Sequence, residues 1–420
     1  MPHPFVIIFG KSVRAIARMR GGGSALPGLF VEKIDPSFVR KTLGQLPKGV
    51  VVISGTNGKT TTTKMVVALL ESQGLNVFTN RTGSNFVRGV AAALLGELSV
   101  SGKLKADIAV LELDEAHAVH FVESIKPRHT LLLNVMRDQL DRFGEIDTTA
   151  ELLSKVAVAT TDSLTINRED NRLLAIGESV KNVQVSYYGI HQSLKAVFPN
   201  DDELHTESEE ANSAPKPDAD VTLTAIGDNS ATFTVDQTEF ATSLRVRGSH
   251  NMFNAAGAIA LVRNIIPNAP MQELIQTIAK VEPAFGRGES ITVGGQTLEL
   301  LLVKNPAGFR LSLASSGDHK IMIAINDNYA DGRDMSWLWD VDFTSLKEVS
   351  VLSGSRAYDM ALRLQYDEVA VKQIELDLAK ALRLFIETHP NEPKRIYCTY
   401  TAMLYIRKEL AKITTVETIA

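Results

Sequence analysis

The sequence predicts an α/β protein: a central domain whose mostly parallel sheet carries a phosphate loop, followed by a smaller α/β domain. Three observations predict it. Apolar strand-length runs alternate with helix-length segments from about residue 49, the pattern of a parallel sheet covered by helices. The stretch VVISGTNGKTTTTK, residues 51–64, is a buried strand, a glycine-bearing turn and a helix start in that order, the layout of an anion-binding loop. A second strand–helix series begins near Gln296, after the alternation has broken down in between. With 420 residues, the chain exceeds what one hydrophobic core usually covers, so two domains are expected.

Taken in order, residues 1–45 read as a helical leader. Within it the basic stretch Lys11–Arg20 follows the apolar run Phe5–Phe9. A helix there either packs on the body of the protein, the favoured reading, or grazes an anionic membrane surface. The central domain is expected over 46–292, with strands at Val50–Ser54, Asn76–Thr79, Asp107–Leu113, Thr130–Val135 and Ser163–Asn167. Residues of about 198–220 are acidic, contain Ser and Pro and lack aromatics beyond Phe198; they read as a flexible solvated insertion. Val221–Ala225, Ala231–Val235 and Phe240–Val246 alternate apolar with polar residues and read as antiparallel strands. A helix starts near Asn251, and the boundary is expected near Gly286–Gly295. The C-terminal domain, 293–420, holds strands at Leu298–Val303, Ile321–Ile325, Val349–Leu352 and Arg395–Thr399, with helices near Leu311, Tyr358 and Thr401.

Composition narrows the function. Hydrophobic residues make up 44% and charged residues 22%, as in an ordinary soluble globular protein. A net charge of −5 and a pI near 6.0 give no global attraction to nucleic acid. The one cysteine, Cys398, excludes an intrachain disulfide and a cysteine-built zinc ribbon. It lies in the apolar run IYCTY and reads as core. No apolar run reaches the roughly 20 residues that span a bilayer. The start, MPHPFVIIFG, lacks the basic segment of a secretion signal, so a cytoplasmic protein is expected.

The phosphate loop comprises Gly55, Thr56, Asn57, Gly58, Lys59, Thr60 and Thr61. Small residues let backbone N–H groups approach an anion at a helix N-terminus. Lys59 suits the β- and γ-phosphates, and the Thr60 hydroxyl suits Mg²⁺. Ile53 stands where the usual pattern has a glycine, so the loop is a variant with closer glycines. At the end of the strand around Val110, the run LELDEAH offers Glu112, Asp114 and Glu115. Side-chain alternation would put Glu112 and Asp114 on one face, and Glu112 is the expected metal ligand. His117, His120 and His129 have no metal-ligand spacing and read as structural.

Four segments in this order resemble the central domain of the Mur ligases: GTNGKTTT, NVMRDQLDRFGEID (134–147), GSHNMFNAAGAIA (248–260) and FGRGE (285–289). LLVKNPAGF (301–309), NDNYADGRDMSWLWDVDF (326–343) and SGSRAYDMALRLQY (353–366) are similar to the MurT branch. Its members are the synthetase subunits of lipid II isoglutaminyl synthase. The resemblance implies a Mur ligase-type ATPase domain with a Rossmann-like C-terminal domain. It also implies amidation, by way of an acyl phosphate, of the D-glutamate α-carboxylate in the lipid II stem peptide. The work would be done in the cytoplasm at the inner membrane face, with ATP, Mg²⁺ and ammonia from a glutaminase partner resembling GatD.

Residue by residue, Lys59 and Thr60 resemble the family's triphosphate and Mg²⁺ residues, and Glu112 its magnesium and γ-phosphate carboxylate. Asn251 and Asn254, with His250 beside them, resemble adenine-binding positions, and Arg287 the arginine that reaches toward the phosphates. Asp334 resembles the aspartate that completes the partner's glutaminase triad by orienting its histidine. Asn80, Arg81 and Asn85, with Lys304 and Asn305, are candidates for lining the substrate pocket.

Two departures bear on these expectations. Many MurT proteins insert a four-cysteine zinc ribbon where this chain has its cysteine-free acidic stretch, so no structural zinc is expected. The D-H-L-D segment of the amino-acid-adding enzymes here reads Asp138-Gln139-Leu140-Asp141. With the phosphate loop already at Gly55, no separate N-terminal UDP-binding domain is expected. Hydroxide is a poor leaving group, so amide formation needs an activated carboxylate. Closure of the smaller domain would keep water from the acyl phosphate. The aromatic run Trp337-Leu338-Trp339 fits either a partner interface or the core. Two other readings compete: a Mur-type ligase that adds an amino acid, and a nucleotide-binding scaffold that activates a glutaminase.

Overall fold

Five consecutive β-branched or small residues, Val50–Ser54, form strand β1, and all five are buried. Such a run suits a strand covered on both faces, and full burial of a side chain like Ile53 contributes about 1.5–3 kcal/mol. The computed structural model describes residues 2–19, 26–80, 87–136, 146–198, 216–246, 248–283, 287–314 and 318–416. They divide into two units, one comprising most of the chain up to Val281 and the other the chain from Glu282.

In the first unit, β1 is joined by β2 (Val77–Thr79), β3 (Ile108–Glu112), β4 (His129–Leu132), β5 (Ser163–Asn167), β6 (Gln184–Ile190), β7 (Val221–Ile226), β8 (Ser230–Val235) and β9 (Thr238–Ser243). Among the described residues they make one sheet of order β2-β3-β1-β4-β5-β6-β7-β8-β9. It is parallel from β2 through β7 and ends in an antiparallel β7-β8-β9 meander. β1 pairs with β3 on one side and β4 on the other. The chain therefore leaves β1 toward one half of the sheet and returns to the other half. The crevice at the carboxyl end of β1 is a topological switch point, where open α/β sheets bind ligands.

The leader forms helices Pro4–Met19, Leu26–Ile34 and Phe38–Leu43. Val6, Ile7, Val31, Phe38 and Leu43 share a core with Val50, Val52 and Leu111 of β1 and β3. Helix Leu26–Ile34 crosses helix Val87–Glu97 so closely that a Cβ on Gly28 would lie 1.9 Å from the Arg88 carbonyl oxygen. Only glycine fits there.

The second unit holds β10 (Arg287–Val293), β11 (Gln296–Leu302), β12 (Lys320–Ala324), β13 (Glu348–Ser353), β14 (Ala370–Ile374) and β15 (Lys394–Cys398). Their order is β10-β11-β15-β12-β13-β14, parallel except for the β10-β11 hairpin. Helices Pro306–Ala314, Ala357–Tyr366, Leu378–Thr388 and Tyr400–Leu410 complete the α/β layers. Three strands lie outside the sequence expectation: β6, β10 and β14. β14 is an edge strand with exposed residues at Ala370, Lys372 and Gln373, so it lacks the apolar run of its neighbours. Inside the core, Glu299 of β11 accepts a hydrogen bond from Arg395 Nε of β15 at 2.8 Å.

Candidate active site

The loop after β1 turns on two glycines in the left-handed region, Gly55 (φ 128°) and Gly58 (φ 88°). Gly58 is the N-cap of helix Lys59–Ser72. A Cβ on Gly58 would meet Asn254 Nδ2 at 2.6 Å and Oδ1 at 2.9 Å. Asn254 thus packs against the phosphate loop, a shaping role its motif does not announce. From β4's end, Asn134 clamps the other side of the loop. Its carbonyl accepts from Thr56 N–H at 3.0 Å. Its side chain accepts from Asn57 N–H at 2.8 Å and donates back to the Asn57 carbonyl at 3.1 Å.

Lys59 is 6% exposed and Glu115 2%. Lys59 Nζ donates to the carbonyl oxygens of Gly55 and Thr56 and lies 3.4 Å from Glu115 Oε2. Beside it, Thr60 Oγ1 donates to Glu112 Oε1 at 2.7 Å. Alternation along β3 would have put Asp114 next to Glu112. The strand ends at Glu112 and Asp114 caps helix Glu115–Ser124. It is Glu115, in that helix's first turn, that reaches Lys59. Asn80, at the end of β2, donates to the Glu112 carbonyl at 2.8 Å and accepts from its N–H at 3.0 Å. It braces the backbone of the presumed ligand.

Beneath the loop, Asp170 accepts N–H bonds from Val135 at 2.6 Å and from Arg172 and Leu173. Burial pushes its carboxyl up to about 6, against those three donors. Tyr188 OH donates to the Leu133 carbonyl at 3.1 Å. These contacts fix the β4 end that carries Asn134. Neither Asn134 nor Asp170 stood out in the sequence. Asn134 could have been found, because it opens the 134–147 motif directly after a buried strand.

The hard-oxygen pair Thr60 and Glu112, next to backbone donors and Lys59, fits a Mg²⁺ ion that keeps several water and phosphate ligands. Among the described residues, no group of three or more His, Cys, Asp or Glu forms a metal site of its own. Asn251 and Asn254 are buried in helix Ser249–Ile265, which His250 also enters. Arg81, Asn85 and Asp138-Gln139-Leu140-Asp141 lie outside the described residues, as do most of the acidic insertion and the side chain of Arg287, whose backbone begins β10.

In the second unit, loops at the carboxyl ends of β12, β13 and β15 are laced together. Asp331, 2% exposed, accepts from Thr401 N–H at 2.7 Å and from its hydroxyl. Asn326 and Asn328 donate to Thr401 Oγ1 at 3.1 and 2.9 Å. Asp327 accepts from Ser355 Oγ at 2.8 Å and Arg356 Nε at 2.9 Å. The Ser355 hydroxyl, with Arg356, holds the Asp327 carboxyl below the usual carboxylate range. Three residues on, half-buried Asp334 accepts from Ser336 N–H at 2.9 Å at the start of the turn Ser336–Asp340. Asn305 is fully buried and accepts from Gly308 N–H at 2.9 Å, capping helix Pro306–Ala314. Trp337 belongs to the core, whereas Trp339 is 48% exposed against Tyr366 and Arg363. Cys398 is buried, and burial raises its thiol well above the usual range.

With this geometry in view, family comparison is decisive. Residues 53–262 match the Mur ligase middle domain, and residues 302–403 match the MurT ligase C-terminal domain. The subunit MurT of lipid II isoglutaminyl synthase from Streptococcus pneumoniae is 30% identical, over 96% of each chain. This chain belongs to the MurT family. It is an ATP-dependent ligase of the Mur type. The MurT subunit of Staphylococcus aureus is 28% identical over 88% of this chain and 89% of its own. Among solved structures, a pseudomurein peptide ligase type C from Methanothermus fervidus has the same fold, with a TM-score of 0.69 and 18% identity over 87% of this chain and 79% of its own. MurF of Thermotoga maritima, solved in complex with ADP, gives 0.65 and 16% over 89% and 83%. No helix among the described residues of this MurT-family chain is long and apolar enough to cross a membrane.

Proposed function

We propose that the chain is the synthetase subunit of a lipid II isoglutaminyl synthase, acting at the cytoplasmic face of the membrane. It transfers the ATP γ-phosphoryl group to the α-carboxylate of D-glutamate in the lipid II stem peptide. Ammonia then displaces phosphate and leaves D-isoglutamine. The observation that carries this reading is the 30% identity across 96% of both chains with the pneumococcal subunit of that name.

The site supports the chemistry. The loop's N–H groups and the helix start at Lys59 suit a triphosphate. Lys59 Nζ, held by the Gly55 and Thr56 carbonyls, exchanges those neutral acceptors for phosphate oxygens when ATP binds. Mg²⁺, held by Thr60 and Glu112, would offset charge on the phosphates and polarise the transferred group. Glu112 is fixed for that task by Asn80, and Glu115 keeps Lys59 protonated and aimed. His250, Asn251 and Asn254 flank the adenine in this reading, and Lys304 belongs with the substrate residues.

The ammonia comes from a separate glutaminase resembling GatD. A glutamine-hydrolysing nucleophile must be an activated thiolate beside a base, and the single cysteine here is a buried core residue. Asp334 is the residue this chain lends to its partner's histidine. Amide formation by the complex, measured with glutamine and again with ammonium, tests this. Asp334→Asn should lose the glutamine-driven reaction and keep the ammonium-driven one. Equal loss of both would remove Asp334 from the partner's chemistry.

A further inference from the structure

The leader helix Pro4–Met19 is apolar on two faces. Val6, Ile7 and Ala17 point inward and are buried. Phe5, Ile8, Ile16 and Met19 fall on the opposite side at 3.6 residues per turn and are 63%, 51%, 53% and 86% exposed. The neighbouring helix Leu26–Ile34 adds Phe30 and Ile34, four residues apart and 41% and 45% exposed. The two stripes meet in an aromatic seam. The Phe5 and Phe9 rings stack at 6.4 Å, and Phe9 meets Phe30 edge-on at 6.4 Å. A contiguous exposed apolar surface of this kind marks an interaction site.

Charge selects the occupant. From residue 4 to 34 the chain has five basic residues, Lys11, Arg14, Arg18, Arg20 and Lys33, against one acidic residue, Glu32, although the whole chain carries −5. Glu32 is itself paired with Arg88 at 2.8 Å. A second copy of the chain would bring like charges together. An anionic bilayer offers both what the phenylalanines need and what the basic residues need.

We propose that the outward face of the two leader helices is a membrane-docking surface that lies in the headgroup region of an anionic bilayer. This goes beyond the amidation reading and does not require it, since the surface is defined without the substrate.

The test uses the full chain and vesicles free of lipid II. Co-sedimentation with phosphatidylglycerol–phosphatidylethanolamine vesicles is compared with phosphatidylcholine vesicles. Wild type should bind the anionic vesicles, less at high salt, and Phe5→Ser/Ile8→Ser/Phe30→Ser should weaken binding at least about tenfold. In a second measurement, the tryptophan emission of Met19→Trp, corrected for the wild-type signal, should shift to the blue when anionic vesicles are added. That substitution is at an exposed side chain and leaves the core untouched. No binding by wild type, no blue shift, or equal binding by a folded triple variant would overturn the proposal. So would a concentration-dependent dimer, abolished by the triple variant, without vesicle binding.

Discussion

Lys59 and Glu115 form a buried ion pair, Nζ to Oε2 3.4 Å, directly beneath the phosphate loop. The lysine that serves the nucleotide is thus also one half of a charge pair that the fold must keep whole. Removing one partner of such a pair costs about 3–5 kcal/mol, because the other charge is left uncompensated in a poor solvent.

Lys59→Met is therefore expected to abolish ATP turnover and also to lower stability. Lys59→Met/Glu115→Gln should recover most of the stability and none of the turnover. Thermal melts read beside ADP release check both halves. Equal melting temperatures for the single and double variants would show that Glu115 does not respond to Lys59.

Gly58→Ala should reduce nucleotide affinity more than it reduces stability. A non-glycine residue at φ 88° costs about 1–2 kcal/mol. The new methyl group would displace the Asn254 amide, which lies 2.6 Å from its position, and so reshape the loop. Calorimetric ATP titration with a parallel melt separates the two effects. Unchanged affinity would mean that the loop tolerates the shift.

The phosphate loop was legible because strand, glycines, lysine and helix start are contiguous, and local chemistry decides them. Glu115 was not, because its meeting with Lys59 depends on where β3 stops. Alternation fails once Asp114 becomes a helix cap. Asn134 and Asp170 act through backbone groups of distant segments, which no spacing along one strand encodes. β14 escaped because an edge strand with exposed polar positions, such as Lys372 and Gln373, has neither an apolar run nor clean alternation. Asn305 was read as a pocket residue from its motif, and its contacts show a helix cap.

Thr401→Val should loosen the loop that carries Asp334. It removes the hydroxyl that donates to Asp331 and accepts from Asn326 and Asn328. Loss of a buried hydroxyl leaving partners unsatisfied costs about 1–3 kcal/mol. The expected signature is a glutamine-driven rate that falls severalfold more than the ammonium-driven rate. A parallel fall in both would assign Thr401 to general stability.

His129 should destabilise the protein in acid. Its ring, whose Nδ1 lies 2.8 Å from Ser163 Oγ, is held by burial at about 4, below the ordinary 6.5. The unfolded chain takes up this proton first, so stability falls as pH drops from 6.5 toward 4, by up to about 3 kcal/mol at about 1.36 kcal/mol per pH unit. Asp170, raised to about 6, acts in the opposite sense, its contribution being lost as pH rises from about 4 to 6. The difference between wild type and His129→Gln in urea titrations isolates the histidine. The variant should have the flatter acid limb. Parallel curves would exclude the histidine as a source of acid sensitivity.

Amide formation on lipid II is the most direct test of the central claim. The chain and its glutaminase partner are supplied with ATP, Mg²⁺ and ammonium, and the product is read by mass spectrometry beside ADP release. The account predicts conversion of one stem-peptide carboxyl group to an amide, with one ADP released per amide. Addition of an amino acid instead, or ADP release with no amide formed, would contradict it.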